Sequence, residues 1–420
     1  MMSKKFRVLR KLAVHVKTIS FVGIFGLNAL SQTLVSGWLA SKDLKVFSVF
    51  ALITGLGSIL AFLDFGAGTM AQTNLIRYLV AGKLRDIFFV KLAINQSIAL
   101  TFLLTTSAIV ILIVSANFII TLVAVYLVFL GLTITTNTAN NLIYAQGEPE
   151  LALLLSRSSW VWTFLTVIFF QNYFEKNLYI VSIIAVVFQF LLGLLAIVYC
   201  RFKNILIDLD KIREISDLEI SNYKREYKSL ALATGTAGIP LMLSLYADRY
   251  IISFVNGADS ITSLAAYGTL FSGSAGIITY VFYKLRASTD FRSEVDIQKN
   301  SAVFLKIVIV VGIAHLISGQ IAVHFFYPSN VSNLKMQILY TIALVSFAFS
   351  LFYQLRNISI KFQKILARSI FFQATINLIL TFSLAHFLGP LAGPLSTILA
   401  ILLVQIPMLH FGTTRKGIAS

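Results

Sequence analysis

Residues 92–114 read LAINQSIALTFLLTTSAIVILIV, twenty-three positions without an Asp, Glu, Lys or Arg. A helix of that length rises about 34 Å at 1.5 Å per residue, enough to cross the ~30 Å hydrocarbon core of a bilayer. Runs of this kind recur along the chain. Of its 420 residues 58% are hydrophobic and 12% charged, with a mean hydropathy of +0.85. A soluble domain is nearer half apolar and a quarter charged. An open sheet cannot satisfy its edges in lipid, and barrel strands would show short alternating segments. The expected fold class is therefore an all-α polytopic membrane protein.

Twelve runs qualify as spans: 18–40, 46–66, 92–114, 118–145, 152–171, 178–200, 229–255, 259–283, 307–325, 336–355, 366–388 and 391–410. The fourth carries the polar stretch TITTNTANN, and the seventh carries Pro240. Residues 201–230, RFKNILIDLDKIREISDLEISNYKREYKSL, stand apart: both signs of charge, with weak helical periodicity through Ile205, Leu209, Ile212 and Ile215. They split the chain into six spans, a linker and six spans. The expected organisation is an amphipathic surface helix (1–17), an N-lobe (18–200), a cytoplasmic linker (201–228), a C-lobe (229–412) and a cytoplasmic tail (413–420). Twelve transmembrane helices in two six-helix lobes around a central cavity is the layout of a duplicated transporter.

The formal net charge of +17 invites a nucleic-acid reading, but its placement argues otherwise. With both termini on one side, 29 of the 34 Lys and Arg fall in segments on that side and 4 on the other, Arg249 being the remainder. This is the positive-inside pattern, with both termini cytoplasmic and the charge drawn to anionic headgroups. It forms no groove interleaved with aromatics, so no nucleic-acid partner is expected; the bilayer is the partner. The basic leader alternates helically, Phe6, Leu9, Leu12, Ala13 and Val16 against Lys4, Lys5, Arg7, Arg10, Lys11 and Lys17, as a helix lying on the membrane surface does. The run after it is too long for a cleavable signal and lacks a small-residue cleavage site. The single cysteine, Cys200, excludes an intrachain disulfide and a Cys-based metal cluster, and reads as a small residue at a helix end.

No HExxH, nucleophile elbow, GxxxxGK[ST] or Asp-rich metal motif is present. No catalytic residue, cofactor or metal is expected, and the chain reads as a non-enzyme. His315, His324, His386 and His410 lie at or near span ends and His15 in the leader, where histidine is usually interfacial; His315, a turn or two into its span, is the exception. The charged pair Asp248–Arg249 is harder to dismiss, because it interrupts the apolar run Ala231–Val255. An Arg mid-membrane costs about 2.5–3.5 kcal/mol, so such charges mark a cavity or pathway. Neighbours in sequence point about 100° apart on a helix, so each needs a partner on another helix, or water. If the span starts at Ala231, Arg249 lies about 27 Å along it and can snorkel outward. If the helix starts within the linker, the pair sits deeper. Two readings stand: a structural ion pair, or a cavity lining in which Arg249 meets an anion and Asp248 orients it or takes a proton.

Residues 62–86 carry a second polar set. Asp64 enters a small-residue turn, Gly66-Ala67-Gly68, and Thr69, Gln72, Thr73, Asn74 and Arg77 follow at helical spacing. Gln72, Asn74 and Arg77 read either as lining a cytoplasmic mouth or as a solvated helix end. Each half also opens on two glycines three apart: GIFGLNALSQ (Gly23, Gly26, then Asn28 and Gln32) and GTAGIPLMLS (Gly235, Gly238, then Pro240). Interrupted spans at matching positions of two halves point to the substrate site and moving elements, with Gly235, Gly238 and Pro240 as hinge candidates. Close helix packing on small residues is the alternative for the glycines.

LDFGAGTMAQTNLIRYLVAGK (63–83), AQGEPELALLLSR (145–157), ADRYIISFVNGADSITSLAAYGTLF (247–271) and LGPLAGPLSTILAILLVQIPMLHF (388–411) resemble, in order along the chain, segments of Wzx-type O-antigen flippases. These form the polysaccharide-biosynthesis branch of the multidrug/oligosaccharidyl-lipid/polysaccharide exporter superfamily. The resemblance implies a flippase carrying an undecaprenyl-diphosphate-linked oligosaccharide across the bacterial inner membrane by alternating access, driven by an H+ or Na+ gradient or by product consumption outside. It implies a polysaccharide polymerase and a chain-length regulator as further partners. Arg249 is then expected to attract the diphosphate, Asp248 to orient it or couple protons, and Asn28, Gln32 and Asn74 to hydrogen-bond the glycan. A cation-coupled multidrug exporter of the same superfamily would want an acidic cavity, for which the sequence offers only Asp248 and Asp64. A polysaccharide polymerase or ligase would want a long outer loop with Arg and His, and the outer loops are short.

Overall fold

The structure, a computed structural model, describes residues 23–414 apart from 25, 61–63, 65, 116, 205–214, 258–259, 290–293 and 357–359. The expected leader helix (1–17), residues 205–214 of the linker and the tail after 414 lie outside the described residues. What is described is helical: α1 (26–42), α2 (Leu44–Leu60), α3 (Ala67–Ala81), α4 (Leu84–Val114), α5 (Phe118–Ala145), α6 (Pro149–Arg157), α7 (Ser159–Phe169), α8 (Gln171–Lys176), α9 (Val181–Phe202), α10 (Asp217–Asn256), α11 (Ile261–Thr289), α12 (Glu294–Phe326), α13 (Leu334–Arg356), α14 (Ile360–Leu388), α15 (Ala392–Ala400) and α16 (Ile406–Thr414).

Local chemistry sets the breaks. The Asp43 carboxylate accepts the Lys45 and Val46 N–H groups at 2.8 and 3.2 Å and so starts α2. Asn117 does the same for α5 through Ile119 and Ile120. Gly82, at φ 65°, ends α3 in the left-handed conformation, where a Cβ is penalised. At α10 the Ser216 N–H and hydroxyl both donate to the Glu219 carboxylate, one arm of a capping box, and this draws the exposed Glu219 below its usual range.

The helices wear their apolar side chains outward: Phe102 is 72% exposed and Ile113 78%. Such a surface is stable where the solvent is hydrocarbon, so the chain is a multi-pass helical membrane protein. Among the described residues seven helical stretches are long and apolar enough to cross a membrane, eight if α6 and α7, bent by 44° between Arg157 and Ser159, count as one. The fifth expected span, 152–171, is thus a broken one. The last of the seven, Arg368–Phe411, runs for 44 residues, about 66 Å and twice the hydrocarbon thickness. It folds back on itself at the 3-10 turn Gly389–Leu391, and α14 packs against α15 and α16, matching the two separate runs expected there. The polar stretch of α5 stays helical because its side chains bond at home: Thr133, Thr136, Thr138 and Asn141 donate to the carbonyls of Leu130, Thr133, Ile134 and Asn137.

Contacts group the described residues into two compact units, one within 1–32 and 63–232 and the other within 33–62 and 233–420. In the first, α5 packs between α4 and α9, and α3 lies across α4 and α5. The first turns of α10 close this core. Tyr223 and Tyr227 meet Phe88 and Phe89 at ring distances of 5.7–6.3 Å, and Glu226 pairs with Arg85. In the second, α11 packs on α2, α12 and α13, and α13 on α15. At 40 residues, about 60 Å, α10 is too long for the membrane alone. The helix therefore starts within the linker. Its backbone is helical through Gly235, Gly238 and Pro240; their surroundings lie outside the described residues.

Candidate functional site

Asp248 and Arg249 are both buried, at 6% and 7% exposure, in the second unit. Neither faces lipid. The Asp248 carboxylate accepts the Arg249 backbone N–H at 2.7 Å. The Arg249 guanidinium donates through Nη1 to the Ala51 carbonyl of α2 at 3.3 Å. Tyr250, the next residue, donates its hydroxyl to the Leu52 carbonyl one position on. Two successive residues of α10 thus grip two successive carbonyls of α2. An i→i−4 carbonyl has a second lone pair, so α2 keeps its own ladder while accepting them.

Room for these groups comes from glycines on three other helical turns. A Cβ built on Gly268 of α11 would lie 2.9 Å from Arg249 Nη2 and 3.3 Å from the Tyr340 hydroxyl. One on Gly393 of α15 would lie 2.7 Å from Asp248 Oδ2 and 2.9 Å from Leu264 Cδ1. One on Gly55 of α2 would meet Tyr250 Oη and Arg249 Cδ at 3.6 and 3.8 Å, ordinary contact. Tyr340 of α13 completes the wall, donating to the Leu264 carbonyl at 3.1 Å and stacking on Tyr267 at 6.4 Å. The pair is therefore a packed charged centre joining α2, α10, α11 and α15. Sequence reading finds Asp248 and Arg249 by their charge and misses Gly55, Gly268, Gly393, Tyr250 and Tyr340. The only signal available was a small residue inside an otherwise bulky helix.

The 62–86 set divides. The Asp64 carboxylate accepts N–H groups from Gly66 at 2.7 Å and Gly68 at 3.2 Å, holding the first turn of α3, and Gly66 sits at φ 74°. Its carbonyl accepts Gln96 Nε2 at 2.7 Å, and Gln96 Oε1 in turn accepts the Tyr227 hydroxyl at 2.8 Å. Burial, with the Asp64 charge behind it, pushes the Tyr227 hydroxyl upward in pKa. Asn74 is buried and donates to the Met70 carbonyl at 2.8 Å, while Arg77, nearly one turn further along α3, is exposed. Asn28 accepts the Trp160 backbone N–H at 3.2 Å, and Gln32 is half-buried. In the second unit Asp248 and Arg249 lie together; in the first, Asp64 stands at the start of α3 and Asn74 about two turns along it, each bonded to its own neighbours. His315 is buried, with Nδ1 2.9 Å from the Ser274 hydroxyl and its carbonyl accepting Gln337 Nε2 at 2.7 Å. His324, His386 and His410 are exposed. Among the described residues no three His, Cys, Asp or Glu side chains gather as a metal site.

No family model matches the sequence, and no curated protein matches it. Solved structures do. An outward-facing multidrug resistance MATE family transporter of the MOP superfamily superposes with a TM-score of 0.68 at 14% identity, over 95% of each chain. The lipid II flippase MurJ, in an inward closed conformation, gives 0.66 at 15% identity, over 95% of this chain and 87% of that one. A MOP superfamily transporter from Pyrococcus furiosus, described as having a binding pocket of reversed polarity, gives 0.64 at 14%, over 95% of each. The chain shares the fold of MOP superfamily transporters.

Proposed function

We propose that this protein is a flippase for a lipid-linked oligosaccharide. It moves an undecaprenyl-diphosphate-linked O-antigen, or related polysaccharide, repeat unit from the cytoplasmic to the outer leaflet of the bacterial inner membrane. The finer architecture we propose is twelve spans in two six-helix lobes around a central cavity, with both termini cytoplasmic and access alternating between leaflets. A sugar chain on a diphosphate cannot cross hydrocarbon unaided, since each unpaired polar group costs several kcal/mol. A polar path through a helical bundle removes that cost while the lipid tail stays in the bilayer.

The observation that carries this reading is the state of the two carboxylates in the apolar segments. Asp64 is committed to the N–H groups of Gly66 and Gly68, and Asp248 to that of Arg249 and to the space above Gly393. Neither is arranged to hold an organic cation, whereas Arg249 and the basic loops favour an anion. In this reading Arg249 acts through its field on the diphosphate, with Asp248 fixing its position or coupling H+ or Na+. Asn28, Gln32 and Asn74 serve the glycan, and Gln72, Asn74 and Arg77 line the cytoplasmic mouth beside the Asp64 turn. Gly235, Gly238 and Pro240 form the hinge. A polymerase and a chain-length regulator receive the product.

The second reading, a cation-coupled multidrug exporter, is favoured by the MATE transporters among the matched folds and by the mere presence of Asp248 in a span. Deleting the gene in its host separates the two. Lipid-linked repeat units trapped in the cytoplasmic leaflet support the flippase; unchanged repeat units with a new sensitivity to lipophilic cations sink it.

A further inference from the structure

The first unit holds a cavity of about 450 Å³ between α4, α5 and α9 that none of the groups above uses. The polar side chains in its wall are already satisfied. Ser97 donates to the Ile94 carbonyl at 2.8 Å, Thr135 and Thr101 share a hydrogen bond of 2.8 Å, Thr138 donates to the Ile134 carbonyl at 3.3 Å, and the Cys200 thiol reaches the Ala139 carbonyl at 3.5 Å. Water needs two to four polar partners to settle in a cavity, and away from the Arg201 end this wall is mostly apolar, with the Ser97 and Thr138 hydroxyl protons already used on their own helices. A void of this size left empty forfeits its dispersion contacts. Hydrocarbon is what fits.

One end differs. Arg201, on the last turn of α9, and Asn204, at φ 52°, are both exposed at the mouth. Lys203 is beside them, and Lys83, Arg85 and Lys91 mark the same end of α4, the end the positive-inside bias sets among anionic headgroups. The carbonyl end of a helix repels an anion, but two of the last carbonyls are occupied, by the Lys203 N–H on Tyr199 and the Asn204 N–H on Arg201. The full charge of the Arg201 side chain outweighs the partial charge that remains. From Thr135 to Leu142 the groove runs seven residues along α5, about 10 Å. A lipid whose headgroup stays at the surface needs that depth to lay the upper part of one chain inside.

We propose that this groove binds an anionic glycerophospholipid of the cytoplasmic leaflet, one acyl chain between α4, α5 and α9 and the phosphate on Arg201. The inference does not depend on what the protein transports. Native mass spectrometry of the full chain, titrated with dioleoyl phosphatidylglycerol or dioleoyl phosphatidylcholine, tests it. Phosphatidylglycerol binds about fivefold tighter, the weight of one Arg at an anionic surface. Arg201→Gln removes that preference and keeps phosphatidylcholine binding. Ile98→Trp, at an exposed position of the wall, and Thr138→Phe, from inside, weaken both lipids. Because Cys200 is the chain's single cysteine, its labelling by a small methanethiosulfonate in nanodiscs reports on the same wall and slows when phosphatidylglycerol replaces phosphatidylcholine. Equal binding of the two lipids by the wild type overturns the proposal, as does phosphatidylglycerol binding untouched by both filling variants. Displacement of phosphatidylglycerol by equimolar undecaprenyl phosphate also overturns it, assigning the groove to a polyprenyl carrier.

Discussion

Gly393→Ala measures how tightly the charged centre of the second unit is packed. The new Cβ would stand 2.7 Å from Asp248 Oδ2 and 2.9 Å from Leu264 Cδ1, both inside contact distance. Overpacking of this kind costs about 1–3 kcal/mol. Asp248 can swing away only by giving up the Arg249 N–H, a bond to a charged acceptor worth about 1.5–3 kcal/mol. Against this, Ala is better than Gly in a helix by about 1 kcal/mol. The balance is a loss of about 1 kcal/mol, one or two degrees in the midpoint of thermal unfolding in detergent. Gly55→Ala is the matched control: its Cβ finds Tyr250 Oη at 3.6 Å and Arg249 Cδ at 3.8 Å, so the helix gain stands alone and the midpoint holds or rises. In an Asp248→Ala background the Gly393→Ala penalty shrinks, because the nearest clashing atom is gone. Equal midpoints for Gly393→Ala and Gly55→Ala, or a penalty unchanged without Asp248, would refute the packed arrangement.

Asp64→Ala removes the acceptor for two N–H groups at the start of α3 and lowers stability by about 1–2 kcal/mol, read as a thermal midpoint, with Asp64→Asn between it and wild type. Tyr227→Phe leaves Gln96 Oε1 without its donor, costs about 1 kcal/mol, and speeds hydrogen exchange in the first turns of α10. Arg249→Ala abolishes export of repeat units in a complementation strain. Arg249→Lys keeps part of that export, since the positive field remains although one ammonium cannot both reach the Ala51 carbonyl and fill the space over Gly268.

The spans were legible because hydrocarbon imposes one requirement on every residue that meets it. LAINQSIALTFLLTTSAIVILIV announces α4 without any knowledge of its neighbours. The bend at Ser158 was not legible, since Arg157 and Ser158 look like ordinary residues of a short span. The charge of Asp248 and Arg249 advertised a special position, and the second copy of a glycine-rich opening did not reveal Gly268 and Gly393, which matter because other helices press on them. That pressure is a property of tertiary approach, invisible in a string where glycine also serves loops. Asp64 was legible as a turn residue from its spacing to Gly66 and Gly68, but whether its carboxylate serves a ligand or its own helix depends on where two N–H groups point.

Reconstitution shows whether the protein moves a lipid-linked sugar across a bilayer. The purified chain is placed in proteoliposomes with a fluorescent undecaprenyl-diphosphate oligosaccharide, and a membrane-impermeant quencher is added outside. The account predicts that nearly all of the fluorophore becomes quenchable with wild-type protein, while the Arg249→Ala variant leaves the inner-leaflet half protected, as in protein-free vesicles. Protection equal to that of protein-free vesicles in the wild type, alongside uptake of a lipophilic cation by the same vesicles, would contradict it.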